Sequence, residues 1–387
     1  MGSSLKSRLM AINAQNHQPP SRPAQEARCA DLVVREHKRA ADSRLFHLSR
    51  QGLERMGFEC TDFDVRRALF LDTETTGLSG GAGTVAFLVG VGWVQGEDFV
   101  VRQYLMPDYG VEPMMLSQLA GLFERFEWVV TFNGKSFDMP LLESRFTLNR
   151  MRTLYKEMIQ MDLLHPARRV WKMRLRKCNL GALETRILKL ERAHDLPGSE
   201  VPQRYFDYLR TRDFSLLEDI LEHNLQDILS LGALLGELCA VYEAPDAQGS
   251  ASDLYSLGRV LEKRGEGEAA QQCYQQAAKP RPLLSVEALC DERGAIQANW
   301  ALSMMLKRSG EFERAEQIWV QMCERGQMGL LPYVERLKVL EHRSRRYQQA
   351  IELCDLALQR FHSPEEQAEL NTRRERLMKK YNRLLEG

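Results

Sequence analysis

The apolar run Ala68-Leu69-Phe70 leads directly into Leu71-Asp72-Thr73-Glu74-Thr75-Thr76-Gly77-Leu78, and this junction constrains the chain more than any other segment. Residues two apart on a strand point to the same face. Asp72 and Glu74 therefore project side by side from the end of a strand whose other residues are core-forming. Two carboxylates held that close repel each other unless a positive charge lies between them or one is protonated. A divalent cation bound through oxygen ligands relieves the repulsion. A D-x-E triplet also occurs on ordinary surface strands, so the metal reading requires further carboxylates later in the chain.

At 387 residues the chain is expected to form two domains. It has no run of about 18 uninterrupted apolar residues, so no membrane span is expected. No apolar segment followed by a cleavage site occurs near residue 1, so no secretory signal is expected either. The eight cysteines are scattered without a C-x-x-C pair, which suits reduced thiols in a cytoplasmic protein better than a disulfide frame or a zinc site. With 53 basic and 53 acidic residues, the chain lacks the whole-molecule charge of a general nucleic-acid binder. Any such role must rest on a local patch.

Residues 1 to about 30 are polar and rich in proline, and a disordered or loosely attached tail is expected over 1–40. A short amphipathic helix is expected over 45–58. From about 64 the pattern alternates between strands and helices: strands over 68–71, 84–94 and 99–105, a helix over 112–126, a strand over 128–132 and a helix from 139 to about 148. Gly96-Glu97-Asp98 predicts an antiparallel hairpin between the second and third strands. The layout is an α/β mixed sheet flanked by helices, assigned to residues 41–245.

After about 245 the sequence becomes all-helical. Leu254, Leu257, Gly258, Leu261, Ala270, Tyr274 and Ala277 are close to the tetratricopeptide pattern of paired helices. The spacing recurs at Trp300, Leu302, Leu306, Gly310, Ala315, Trp319 and Met322. A more degenerate copy follows at Val334, Leu337, Ala350, Cys354 and Ala357. Three units and a final helix over 364–385 are enough for a short all-α solenoid, assigned to 250–387, with an unrelated helical bundle as the alternative. Residues 280–293 interrupt the period.

Two further acidic positions complete the pattern. Asp138, in Asn133-Gly134-Lys135-Ser136-Phe137-Asp138-Met139-Pro140, stands at the start of a helix, where it is either an N-cap or a third ligand. His223 and Asp227, four apart on an amphipathic helix, share one face. A histidine one turn from a metal-binding carboxylate is placed to take a proton from water. The alternative is an exposed helical His–Asp pair.

Together, Asp72, Glu74, Asp138 and Asp227 with His223 resemble the DEDD family of 3′–5′ exonucleases on a ribonuclease H-like fold, over roughly 64–242. One departure is that the histidine-type branch places its His five residues before the last Asp, whereas the gap here is four, which predicts a different angle of approach for the base. Phe70-Leu71-Asp72-Thr73-Glu74-Thr75-Thr76-Gly77, Met161-Asp162-Leu163-Leu164-His165-Pro166-Ala167-Arg168-Arg169 and His223-Asn224-x-x-Asp227 are similar to the YprB-like subgroup, which joins this nuclease to tetratricopeptide repeats. That subgroup includes the mitomycin repair factor B type of DNA-repair exonuclease. The resemblance implies DNA as substrate and a helicase as protein partner; an RNA-processing exonuclease and an inert repeat scaffold are the alternatives.

On this reading Asp72, Glu74, Asp138 and Asp227 hold two divalent cations, Mg²⁺ or Mn²⁺, and His223 is the general base. An all-carboxylate site does not suit zinc, which recruits Cys or more His. Asp162 is expected to order a strand or loop rather than bind metal, and His194 and Asp195 are explained by turn chemistry. In enzymes of this family the turn corresponding to Thr75, Thr76, Gly77 and Leu78 contacts the terminal nucleotide. Asn133 either hydrogen-bonds substrate or braces the turn before Asp138. Arg168, Arg169 and Lys172, continuing to Arg174, Arg176 and Lys177, form either a phosphate-tracking groove or a solvated face.

Overall fold

The computed structural model describes residues 31–59, 62–77, 83–152, 157–190, 196–279 and 286–386. Leu78, His194, Asp195, the segment 1–30 and the start of the 280–293 interruption lie outside the described residues.

Six strands form one mixed sheet: β1 (Val33–Ala40), β2 (Ala68–Thr75), β3 (Ala86–Gln95), β4 (Asp98–Leu105), β5 (Trp128–Thr131) and β6 (Ile159–Asp162), in the order β1-β4-β3-β2-β5-β6. The β2 strand lies at the change of direction, antiparallel to β3 and parallel to β5. Every residue of β3 except the last is buried, as its unbroken apolar sequence requires of a strand covered on both faces. Gly96, at φ 65°, closes the expected β3–β4 hairpin.

Among the described residues, seven α-helices accompany the sheet: α1 (Arg50–Met56), α2 (Glu112–Phe123), α3 (Asp138–Leu148), α4 (Leu164–Leu175), the short α5 (Leu180–Leu183), α6 (Val201–Thr211) and α7 (Ser215–Glu243). Leu69 and Leu71 of β2 pack into one apolar cluster with α2, α3 and α6. Phe70, of opposite parity, packs into another with α1 and α4. The α7 helix belongs to both: Leu217, Ile220 and Leu221 lie in the first cluster and Leu225, Ile228 and Leu231 in the second. By length and composition α7 is apolar enough to cross a bilayer, but 72% of its apolar window is buried inside the protein. It is a core helix.

Two expectations are corrected. Residues 33–40, assigned to a loose tail within 1–40, form β1, paired antiparallel along its full length with β4. Its sequence reads as polar because it is an outer strand: Glu36 pairs with Arg102 across the strands at 2.6 Å, and Arg35 reaches Glu218 of α7 at 2.7 Å. Charged side chains on an edge strand also oppose pairing with other chains. The single helix expected over 45–58 is instead a 3₁₀ turn, Ser43–His47, followed by α1. The break comes at Ser49, whose hydroxyl accepts the Gly52 N–H and starts a new helix.

The remainder is all-helical: α8 (Ala251–Lys263), α9 (Gly267–Ala277), α10 (Val286–Arg308), α11 (Phe312–Glu324), α12 (Leu331–His342), α13 (Tyr347–Arg360) and α14 (Pro364–Glu386). The α8–α9, α10–α11 and α12–α13 pairs turn alike. Gly265, Gly310 and Arg345 adopt left-handed backbone at φ 80°, 86° and 52°. The next residues, Glu266, Glu311 and Arg346, share nearly one φ/ψ. Four residues later Ala270, Ala315 and Ala350 are fully buried, which lets each pair approach closely.

The helical region is fastened to the α/β region by packing and by charge. Leu257 of α8 shares an apolar cluster with Trp171 and Tyr242. Arg174 of α4 forms a two-pronged ion pair with Asp253, at 2.7–3.0 Å, with only 4% of the Asp253 side chain exposed. Arg55 of α1 pairs with Glu266 at 2.7 Å and donates to the carbonyls of Tyr242 and Glu243. Removing one member of a buried pair strands the other charge. Arg174→Ala is therefore expected to lower stability by about 3–5 kcal/mol, and the double variant Arg174→Met/Asp253→Leu to recover most of it, as measured by urea unfolding.

Candidate functional site

Asp72 and Glu74 leave β2 on the face that carries Phe70, towards α7. The sheet presents a level row there: Asp72 on β2 stands opposite Gly90 on β3, and Gly90 opposite Gln103 on β4. Asn224 of α7 lies over this row. Its Nδ2 donates to Asp72 Oδ2 at 3.0 Å, and its Oδ1 accepts from Gln103 Nε2 at 3.0 Å. Gln103 also donates to the Leu221 carbonyl at 2.7 Å, which ties the strand to the α7 backbone. A Cβ at position 90 would stand 2.1 Å from Asn224 Oδ1, so only glycine leaves room for the amide.

The other acidic groups converge on the same point. His223 Nδ1 is 3.2 Å from Glu74 Oε1 and 3.4 Å from Asp227 Oδ2. Ligand atoms of Glu74, His223 and Asp227 lie within 4.8 Å of one another. The four-residue spacing puts the imidazole over Asp227 and against Glu74, inside the cluster. Asp138 is the first residue of α3 rather than its cap, since Phe137 occupies the cap position. Its carboxylate accepts a hydrogen bond from the Thr73 hydroxyl.

Electrostatics show how crowded the cluster is. Burial first, and then repulsion from Asp227, Asp138 and Glu74, holds the Asp72 carboxyl well above the usual carboxylate range, against the opposing Asn224 hydrogen bond. Burial pushes Asp138 up to about 6, and the Thr73 hydrogen bond only partly offsets it. Buried oxygen donors that resist ionisation on account of one another fit a hard divalent cation, and deprotonating them is part of binding it.

Asp162 has the ordering role expected of it. One oxygen accepts the Asn133 and Leu164 N–H groups at 2.8 and 3.0 Å, and the other accepts Lys135 N–H at 3.2 Å. Asn133 braces the turn with its backbone, in left-handed conformation at φ 70°, while its side chain is exposed. The turn after β2 closes on itself. The Thr75 hydroxyl donates to the Gly77 carbonyl at 2.7 Å, and the Thr76 hydroxyl accepts the Val85 N–H at 3.0 Å. Arg168, Arg169 and Lys172 are not in the carboxylate cluster. They lie on the exposed face of α4, where Arg169 donates to the Met56 carbonyl.

Sequence reasoning missed the supporting residues Thr73, Gly90, Gln103 and Asn224. Gly90 interrupts a continuous apolar strand and Gln103 is a buried amide in another, signals of close approach and of a partnered polar group.

A sheet of this topology with an acidic cluster at the end of its central strand defines a protein of the ribonuclease H-like class, and a family model of the RNase_H superfamily matches residues 69–239. The chain is also 30% identical over 327 residues to YprB of Bacillus subtilis strain 168, an uncharacterized protein, in an alignment covering 83% of this chain and 76% of YprB. The chain belongs to the YprB family, and its residues 69–239 are a domain of the RNase_H superfamily. Nucleic-acid hydrolysis supported by divalent metals is the general chemistry of that superfamily.

The raised Asp138 carboxyl has a consequence for stability. The metal-free folded state holds a proton that the unfolded chain, with an ordinary carboxylate, has already released, so stability falls as pH rises from about 4 through about 6. At pH 8 without metal, Asp138→Asn is expected to be more stable than wild type by about 1–3 kcal/mol. The difference should vanish below pH about 4. Thermal melts with and without Mn²⁺ check both this and the expected loss of metal stabilisation in the variant.

Proposed function

We propose that the protein is a metal-dependent 3′–5′ exonuclease acting on DNA. The observation that carries this reading is the convergence of Asp72, Glu74, Asp138 and Asp227 from β2, α3 and α7 around one buried point, with His223 at hydrogen-bonding distance from two of them. Asp72, Glu74, Asp138 and Asp227 would hold two divalent cations, Mg²⁺ or Mn²⁺. When bound, such cations would lower the pKa of the attacking water and neutralise charge on the phosphate oxygens.

Protein groups perform the remaining tasks. His223 accepts the proton of the attacking water, and Asp227, one turn along α7, fixes its ring. Asn224 holds Asp72 in orientation, and Thr73 does the same for Asp138. The hydrogen-bonded turn at Thr75, Thr76 and Gly77 receives the terminal nucleotide, together with Leu78 and the exposed Asn133 amide. The α/β domain spans 41–245 together with β1, and the tetratricopeptide-like repeats span 250–387. The repeats serve a protein partner, for which the subgroup resemblance supplies a helicase and a role in DNA repair. The free, buried Cys178, Cys239, Cys273, Cys323 and Cys354 suit a reducing cytoplasm.

The assay is purified protein with Mn²⁺ and matched DNA and RNA strands labelled at the 5′ end. A ladder shortening from the 3′ end of DNA is expected, abolished by Asp72→Ala. Preference for the RNA strand would make the enzyme an exoribonuclease. No cleavage, or cleavage undiminished by Asp72→Ala, would leave the alternative of an inert scaffold. His223→Ala is expected to slow hydrolysis by about 10²–10⁴ with Mn²⁺ affinity nearly intact. Collapse of that affinity would make His223 a ligand.

A further inference from the structure

Between the exposed face of α4 and the first helix of the helical region lies a cavity of about 540 Å³. No Asp or Glu lines it, while Arg168 and Lys172 stand on the α4 wall and Arg259 and Lys263 on the α8 wall. Three further cations at its margin are already engaged. Arg55 and Arg264 pair with Glu266, and Arg169 is held by the Met56 carbonyl. Arg168, Lys172 and Lys263 are exposed, and no ion pair engages them among the described residues. Arg259 donates to the Tyr255 hydroxyl at 2.9 Å and lies over that ring, so its charge is not neutralised.

A second cavity, of about 340 Å³, shares Arg168 and Lys172 and adds Arg176 and Lys177. The two cavities therefore form one basic trough with Arg168 and Lys172 as its ridge. Residues 165, 168, 169 and 172 are exposed at helical spacing on α4, and Arg176 is exposed just past its end. The helical stripe covers about 10 Å from end to end. It begins three residues beyond Asp162, whose carboxylate holds the loop leading into Asp138.

We propose that this trough binds the sugar-phosphate backbone of the nucleic-acid strand whose end occupies the carboxylate cluster, so that the helical region forms one wall of the substrate channel. Cations set on two walls without counter-ions repel one another, and a polyanion with repeating charge relieves all of them together. A single phosphate would engage only one or two. The half-buried Tyr255 lines the same cavity and positions Arg259 within it. The Arg174–Asp253 and Arg55–Glu266 pairs fix the two walls relative to each other, so the trough is preformed. This inference rests on the reading of the protein as a nucleic-acid hydrolase and adds the path of the strand.

The experiment uses the full chain with Arg259→Glu/Lys263→Glu, and with the milder Arg259→Gln/Lys263→Gln in case charge reversal disturbs folding. Binding of 5′-labelled single strands of roughly 6 and roughly 30 nucleotides, bracketing common single-strand site sizes, is followed by anisotropy in EDTA over a salt series. Hydrolysis of both is followed with Mn²⁺. The long strand is expected to lose about tenfold or more in affinity, and its log K against log salt slope to fall by about 0.7 per cation removed. The ratio of long-strand to short-strand kcat/KM should fall with it. Long-strand affinity and slope equal to wild type in a folded variant would overturn the proposal. So would equal competition by poly-aspartate, which would assign the trough to an acidic protein segment. If wild type cleaves neither strand yet the variants still lose long-strand affinity, the exonuclease reading fails and the trough stands. If both proteins cleave and bind alike, the trough fails and the exonuclease reading stands.

Discussion

The hydrogen bond from Asn224 to Asp72 is the contact on which the site depends. It reaches across a glycine gap, from a core helix to the central strand, and orients a carboxyl that burial holds well above the usual carboxylate range. Gln103 holds Asn224 from the other side and ties α7 to β4. Without this row α7 would pack as any amphipathic helix on a sheet. With it, His223 and Asp227 are carried to the end of β2 at a fixed height. They stand where α7 passes from one apolar cluster to the other, so packing on both sides resists displacement along the helix.

The same crowding makes the metal-free protein uncomfortable. Burial and the neighbouring carboxylates raise the proton affinity of Asp72 and Asp138, and hydrogen bonds from Asn224 and Thr73 offset only part of that. Sites that destabilise the fold that holds them are characteristic of chemistry rather than of structural support. A repeat scaffold has no physical need for such a cluster.

Beyond the cluster, the two regions of the chain are joined by ion pairs in which a largely buried arginine engages its partner through two guanidinium nitrogens. Arg174 came from the basic run that sequence reading treated as one surface. The structure divides that run into an anchoring arginine, an arginine held by a backbone carbonyl, and exposed cations facing a trough. Residues of one charge and one helix thus take three roles according to what packs opposite them.

The acidic positions, the mixed sheet and the change to paired helices near 245 could be read from local patterns, because each depends on residues close in sequence: a strand running into D-x-E, a polar residue opening a helix, a His and Asp one turn apart. The β1 strand escaped because an outer strand needs few apolar residues, and its partner lies some sixty positions later. Asn224, Gln103 and Gly90 escaped for a related reason. Their meaning comes from the register that sets Asp72, Gly90 and Gln103 in one row, and register follows from the pairing of three strands rather than from any one of them. What the sequence by itself determined was the set of acidic residues and the histidine that the fold gathers into one cluster. Only the tertiary structure decided which residues aim them and that the helical region faces α4 across a basic trough, because these depend on distances between segments far apart along the chain.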